Sequence, residues 1–194
     1  MDRVAERSKL SGAEYLAWER LQPVRHEFFD GEVFAMAGGS LRHNTLCANV
    51  IAALSGVLRS RGCIVTTSDQ RVRAGVGERY VYPDVSVTCG PVVLAEGTSD
   101  VLANPAMLVE VLSGSTEQYD RGLKWEGYQR LASLMDYVLV SQSEPRIEHF
   151  LRRGSGGGSW LYRSAASGER IVLSTDLELD VDELFANVLA LPGD

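Results

Sequence analysis

The stretch Ala106–Leu134, AMLVEVLSGSTEQYDRGLKWEGYQRLASL, joins a strand-like run to a helix-like one. Met107 to Ser113 reads as a buried strand with one carboxylate, Glu110, set among Met, Leu and Val. Burying a lone charge costs several kcal/mol or forces the group neutral, and a paired ion or a metal removes that cost. From about Glu117 the pattern turns helical, with Leu123, Tyr128, Leu131 and Leu134 on one apolar face. Asp120 falls at the centre of that face, and Lys124 only about 40° away at 3.6 residues per turn. On a solvated face such a pair is worth a few tenths of a kcal/mol. On an inward face it needs a further partner, and Glu110 on the preceding strand is the candidate.

A second acid stands upstream. In the run Arg79 to Cys89, Val81, Val85 and Val87 share one parity, and Tyr82, Asp84, Ser86 and Thr88 the other. Pro83 denies a ladder donor next to Asp84, so the strand is irregular there. A strand carboxylate, a second carboxylate after a proline and a nearby lysine form a chemical kit. Two carboxylates hold Mg²⁺ or Mn²⁺ through hard oxygens. Such a metal lowers the pKa of bound water and stabilises the charge of a phosphate under attack. A lysine orients or deprotonates the water, or neutralises developing charge.

The rest of the chain reads as α/β. Ser11 and Glu14 form a capping box for a short helix ending near Pro23. Asp30-Gly31 signals a hairpin whose first strand carries Glu27. A long helix is expected from about Leu41 to Arg61, with His43 near its start and Gly62 ending it. Strands follow at 63–67, 70–73 and 79–89, then a loop over 90–105. Beyond the central stretch, strands are expected at 136–140, 146–151, 160–162 and 170–173, and a last helix at 183–189 capped by Asp182. Gly154–Ser159 reads as a flexible turn, because too little chain follows for a second core; residues 1–194 read as one domain.

Composition narrows the class. With 194 residues, 45% of them apolar, the chain has material for a core. A net charge of -7 argues against a protein that coats nucleic acid with a basic face. The three cysteines, Cys47, Cys63 and Cys89, include no CxxC pair, which argues against a zinc site and against a disulfide framework. A reducing cytoplasm is the default compartment. The N-terminal MDRVAERSKL has no apolar run after it and does not read as a signal peptide, and no window spans a membrane.

In order along the chain, His26-Glu27-Phe28-Phe29-Asp30-Gly31-Glu32, His43, Pro83-Asp84-Val85, Glu110 through Thr116, Asp120-Arg121-Gly122-Leu123-Lys124 and Tyr128 resemble the pattern of the Uma2 family of the PD-(D/E)XK nuclease superfamily. The resemblance spans about residues 11–151. It implies a restriction-endonuclease-like core: a central mixed sheet with strands around Val85, Val109 and Val138, flanked by helices near 41–61 and 117–134, with additional antiparallel strands. It implies a Mg²⁺- or Mn²⁺-dependent endonuclease acting on DNA, with metal ligation by Asp84 and Glu110, Glu27 as an upstream acid completing the site, and Lys124 as the active-site lysine. Asp120 is expected to orient Lys124, and His43 to play a supporting part.

One departure from the superfamily matters. Its Glu-x-Lys spacing places both side chains on one strand face. Here the second position is Leu112, so Lys124 must deliver the amine from the following helix. DNA affinity then calls for a basic patch, with Arg59, Arg61, Arg71, Arg73 and Arg79 as candidates. A homodimer is expected for cutting both strands of a duplex, because two-fold symmetry matches two strands. Two rivals keep the same fold. One is a non-catalytic protein- or DNA-binding module with a structural buried network, and the other a metal-dependent hydrolase of small phosphate esters.

Overall fold

The computed structural model describes residues 9–75, 77–154 and 158–193. The N-terminal reading of 1–8 and the middle of the Gly154–Ser159 turn lie outside them. Helix α1 (Gly12–Glu19) carries the expected capping box, Ser11 and Glu14 each satisfying the other's backbone N–H. Strands β1 (His26–Phe29) and β2 (Glu32–Ala35) pair as a hairpin about Asp30-Gly31, where φ is positive at both residues (46° and 101°). That is the backbone a two-residue hairpin turn of matching twist requires. Helix α2 (Leu41–Leu58) is capped by the Ser40 hydroxyl, tightens into a 3₁₀ turn at Arg59–Arg61 and ends at left-handed Gly62.

The run 79–89 divides between two sheets. Its first part is β5 (Arg79–Val81) and its second β6 (Val85–Cys89), with Tyr82-Pro83-Asp84 crossing between them. With β4 (Arg71–Arg73) and β7 (Val101–Leu102), the first sheet has the order β2-β1-β5-β4-β7. The second contains β3 (Cys63–Thr67), β8 (Met107–Leu112), β9 (Asp136–Ser141), β10 (Arg146–Arg152) and β11 (Trp160–Ala166) in the order β11-β10-β9-β8-β6-β3. It is mixed, since β8 and β9 run parallel and its other pairs antiparallel. A short β12–β13 ribbon (Arg170–Val172, Glu178–Asp180) leads into α5 (Val181–Leu184). This helix starts two residues earlier than expected because Asp180, not Asp182, accepts the first free N–H groups.

Strand β8 is buried along its whole length and faces two cores. Met107, Val109 and Val111 pack with Leu46, Val50 and Leu54 of α2. Leu108 and Leu112 pack on the other side with Tyr128, Leu134 and Tyr137. Glu110 has the parity of this second side, so it points at the segment that follows β8.

That segment is not one helix over 117–134. It comprises α3 (Glu117–Tyr119), a π-helical turn (Asp120–Lys124) and α4 (Trp125–Tyr128). A π turn fits an extra residue into the helical path. It turns Leu123, expected on the apolar face, outward to 47% exposure, while Asp120 and Lys124 both face in.

Two expectations from composition are corrected. Cys63 and Cys89 are joined by a disulfide, because the β3–β6 register sets them opposite each other although 26 residues separate them in sequence. Three of the five arginines expected to form a basic patch are engaged within the protein. Arg71 is buried against the Tyr82 hydroxyl and pairs with Asp100, Arg79 pairs with Asp30, and Arg61 bonds the Thr175 carbonyl.

Candidate active site

The site forms where the two sheets meet. Glu27 comes from β1 of the first sheet and Glu110 from β8 of the second. Asp84 sits on the crossing between them, one residue before β6. The β6–β8 register, Val85 opposite Val109, continued by one step sets Asp84 opposite Glu110. Facing residues of an antiparallel pair project from the same face. Pro83 cannot continue the ladder. The Val111 N–H is instead taken by Asp84 Oδ2 at 2.8 Å. The irregularity after Pro83 thus aims a carboxylate rather than merely ending a strand.

Lys124 enters from the π turn. Its Nζ lies 3.1 Å from Glu110 Oε1, 3.1 Å from Asp120 Oδ1 and 3.3 Å from Glu27 Oε1. Lys124 and all three acids are buried. Leu112, at the Glu-x-Lys position, lies in the apolar core. The amine reaches Glu110 from the next element, as the sequence requires of any lysine serving this site.

Several groups hold the acids in place. Tyr128 donates its hydroxyl to Glu110 Oε1 at 2.8 Å, and the Tyr82 N–H donates to Glu27 Oε1 at 2.9 Å. The Tyr119 ring stands 5.4 Å from the Lys124 Nζ, close enough for a cation–π contact. His43 Nε2 lies 3.2 Å from Asp84 Oδ1. Gly39 permits that position, since a Cβ there would come within 2.4 Å of the His43 ring.

Electrostatics follow from burial. Burial pushes the Glu110 carboxyl well above the usual range; Lys124 opposes this, while Asp120, Asp84 and Glu27 add to it. Burial raises Glu27 too, again against the pull of Lys124. For Lys124, burial disfavours the ammonium, but Asp120, Glu110 and Glu27 together outweigh it and hold its pKa well above the ordinary value. A protonated Lys124 is an electrostatic group, not a base, in this arrangement.

Glu27, Asp84, Glu110, Asp120, Lys124 and His43 all line one cavity of about 650 Å³. Its remaining lining comes mainly from the 35–39 and 113–116 loops, and Lys124 is the one Lys or Arg among the described lining residues. Asp120, to which the sequence gives only an orienting part, lies slightly nearer Lys124 than Glu27 does, at 3.1 Å against 3.3 Å. The sequence does not single out Tyr82, whose role depends on a backbone N–H and leaves no side-chain signal.

The fold and the placement of acids and lysine at the meeting of the sheets define a restriction-endonuclease-like α/β protein. The structure is similar to the crystal structure of a "putative nuclease belonging to DUF820" from Anabaena variabilis, with a TM-score of 0.74, 14% identity, and coverage of 93% of this chain and 99% of that one. Residues 13–186 match the Uma2 family, described as "Putative restriction endonuclease", and the chain belongs to that family. Two relatives from Synechocystis are uncharacterized proteins. One, slr1290, is 36% identical over 178 residues, covering 91% of this chain and 92% of its own length. The other, sll1609, is 32% identical over 151 residues, covering 78% and 85%.

Proposed function

We propose that the protein is a metal-dependent endonuclease that hydrolyses DNA phosphodiester bonds at the Glu27–Asp84–Glu110–Lys124 cavity. The observation that carries this reading is the charge count at that cavity. Four carboxylates, Glu27, Asp84, Glu110 and Asp120, line the cavity with one ammonium, which contacts three of them. Excess buried negative charge is costly unless a cation joins it. The donors are all carboxylate oxygens, the set that hard divalent cations prefer. Asp84 and Glu110 would hold Mg²⁺ or Mn²⁺, with Glu27 completing the set. When bound, the metal supplies Lewis-acid stabilisation of a phosphate and a more acidic water.

The chain's own groups have definable tasks. Lys124, held cationic by three acids, balances charge that develops on the attacked phosphate and orients the attacking water. Tyr128 fixes the Glu110 carboxylate, and the Val111 N–H fixes Asp84. Asp120 sets the direction of the Lys124 amine from one turn away. An anionic DNA strand meets a cavity whose described lining offers only one lysine, so its approach depends on the metal. A homodimer acting on both strands of a duplex belongs to the same proposal.

Incubation with supercoiled plasmid, with and without Mg²⁺ or Mn²⁺, tests the reading. Nicking or linearisation is expected only with metal, and a loss of at least about 10²-fold is expected for Asp84→Ala and for Lys124→Ala. Metal-dependent cutting that survives both substitutions defeats the assignment. Hydrolysis of a small phosphodiester without DNA cleavage turns the reading to a phosphoesterase.

A further inference from the structure

The acids are not the whole of the ligand chemistry at this cavity. His43 and Cys47 lie four residues apart on α2, so their side chains share a helix face. That face meets Asp84. One ligand atom each from His43, Cys47 and Asp84 lie within 4.8 Å of one another. Bonds of about 2.0–2.3 Å around a tetrahedral Zn²⁺ set neighbouring ligand atoms about 3.5 Å apart. His43 Nε2 and Asp84 Oδ1 are already at 3.2 Å. With every separation in the cluster at most 4.8 Å, small side-chain shifts would bring the three ligand atoms to that spacing, and Cys47 is the cysteine left outside the disulfide.

We propose that His43, Cys47 and Asp84 form a second cation site, selective for Zn²⁺ and similar borderline metals, that shares Asp84 with the hard-metal position. Imidazole and thiolate suit Zn²⁺ and Co²⁺ and are poor ligands for Mg²⁺. Three protein ligands leave a fourth position for water, as in open zinc sites. The two oxygens of Asp84 are divided for this purpose, since Oδ2 is held by the Val111 N–H and Oδ1 faces His43. Gly39 leaves room for the imidazole in that place, which a side chain there would take.

Zn²⁺ binding forms a sulfur–zinc bond and releases the Cys47 thiol proton to solvent. The absence of a CxxC pair therefore misleads here, because the ligands come from a helix turn and a strand end.

One consequence rests on the nuclease reading: Zn²⁺ drawn toward His43 and Cys47 takes Asp84 from the catalytic position, so Zn²⁺ inhibits Mg²⁺-dependent cleavage. The site itself does not depend on that reading.

Titration of the full chain, disulfide intact, with Co²⁺ is the test, followed by absorption. The expected result is a thiolate-to-cobalt charge-transfer band, displaced by Zn²⁺ and unaffected by a large excess of Mg²⁺. The band should vanish in Cys47→Ser, and Co²⁺ affinity should fall roughly tenfold or more in His43→Gln. A measurement on the unsubstituted protein guards against misfolded variants: Zn²⁺, and not Mg²⁺, should protect Cys47 from alkylation. A missing band, a band that persists in Cys47→Ser, or unhindered alkylation at saturating Zn²⁺ overturns the proposal. Cleavage is read separately. A band without cleavage upholds this site and counts against the nuclease, while Mg²⁺-dependent cleavage without a band does the reverse.

Discussion

Two buried polar networks meet at Tyr82, and they differ in whether their charges close. On one side the Tyr82 hydroxyl donates to Glu19 Oε1 at 3.0 Å and accepts from the Arg71 Nε at 2.9 Å. Glu19 also accepts the His26 backbone N–H at 2.8 Å and lies 3.0 Å from its Nδ1. This network pairs one buried carboxylate with one guanidinium, which passes on to Asp100. On the other side the Tyr82 N–H holds Glu27, one of four acids that line the Lys124 cavity. The first network is satisfied by the protein alone, and the second is not. Buried polar groups with every partner present rigidify a fold, and those lacking one mark where something else binds.

The largest expected effect comes from removing the single cation of the open network. Lys124→Met leaves Glu27, Glu110 and Asp120 buried together and should cost about 3–5 kcal/mol in urea unfolding without divalent metal. A loss below about 1 kcal/mol would mean that the acids do not carry charge in the fold.

Next in size is a contrast of sign between matched substitutions. Glu19→Gln breaks a closed network and should destabilise by about 1–3 kcal/mol. Glu110→Gln removes excess charge and should leave metal-free stability unchanged or raise it. Because burial lifts the Glu110 pKa above its ordinary 4.5, there is a pH window above 4.5 in which the folded state keeps a proton that the unfolded state has lost, and above that window the group is charged. Stability contributed by this group is therefore full below the ordinary value and falls as pH rises through the raised one. Glu110→Gln should flatten that fall in a metal-free pH series of melting temperatures. A parallel loss of stability in both variants would erase the distinction between the networks.

Much of this architecture is legible in the chain. Ser11 with Glu14, and Asp30-Gly31, are local signals, and local hydrogen bonding decides both elements. Glu110 stands out because an acid in an apolar strand conflicts with its surroundings. Other features depend on tertiary context. The division of 79–89 between two sheets follows from strand partners far away in sequence, and Pro83 marked only the place. The Cys63–Cys89 pair follows from the β3–β6 register. The π turn at Asp120–Lys124 has no sequence signature, so regular helical spacing sets Leu123 on the wrong face while still setting Asp120 and Lys124 inward.

The smallest expected effect concerns the group linking Glu110 to its helix. Tyr128→Phe removes one hydrogen bond to a carboxylate that keeps its contact with Lys124. DNA cleavage should fall about tenfold, equivalent to about 1.4 kcal/mol in the barrier, with Mg²⁺ binding retained. A change in Mg²⁺ affinity as large as the change in rate would place Tyr128 in the metal shell instead.

The central claim is that the open network, and not the closed one, completes itself with a divalent cation. Calorimetric titration of Mg²⁺ into the unsubstituted protein, Glu19→Gln and Asp84→Asn tests it directly. Saturable binding by the first two and its loss in Asp84→Asn are the expected results. Absence of binding by the unsubstituted protein, or unaltered binding by Asp84→Asn, would contradict it.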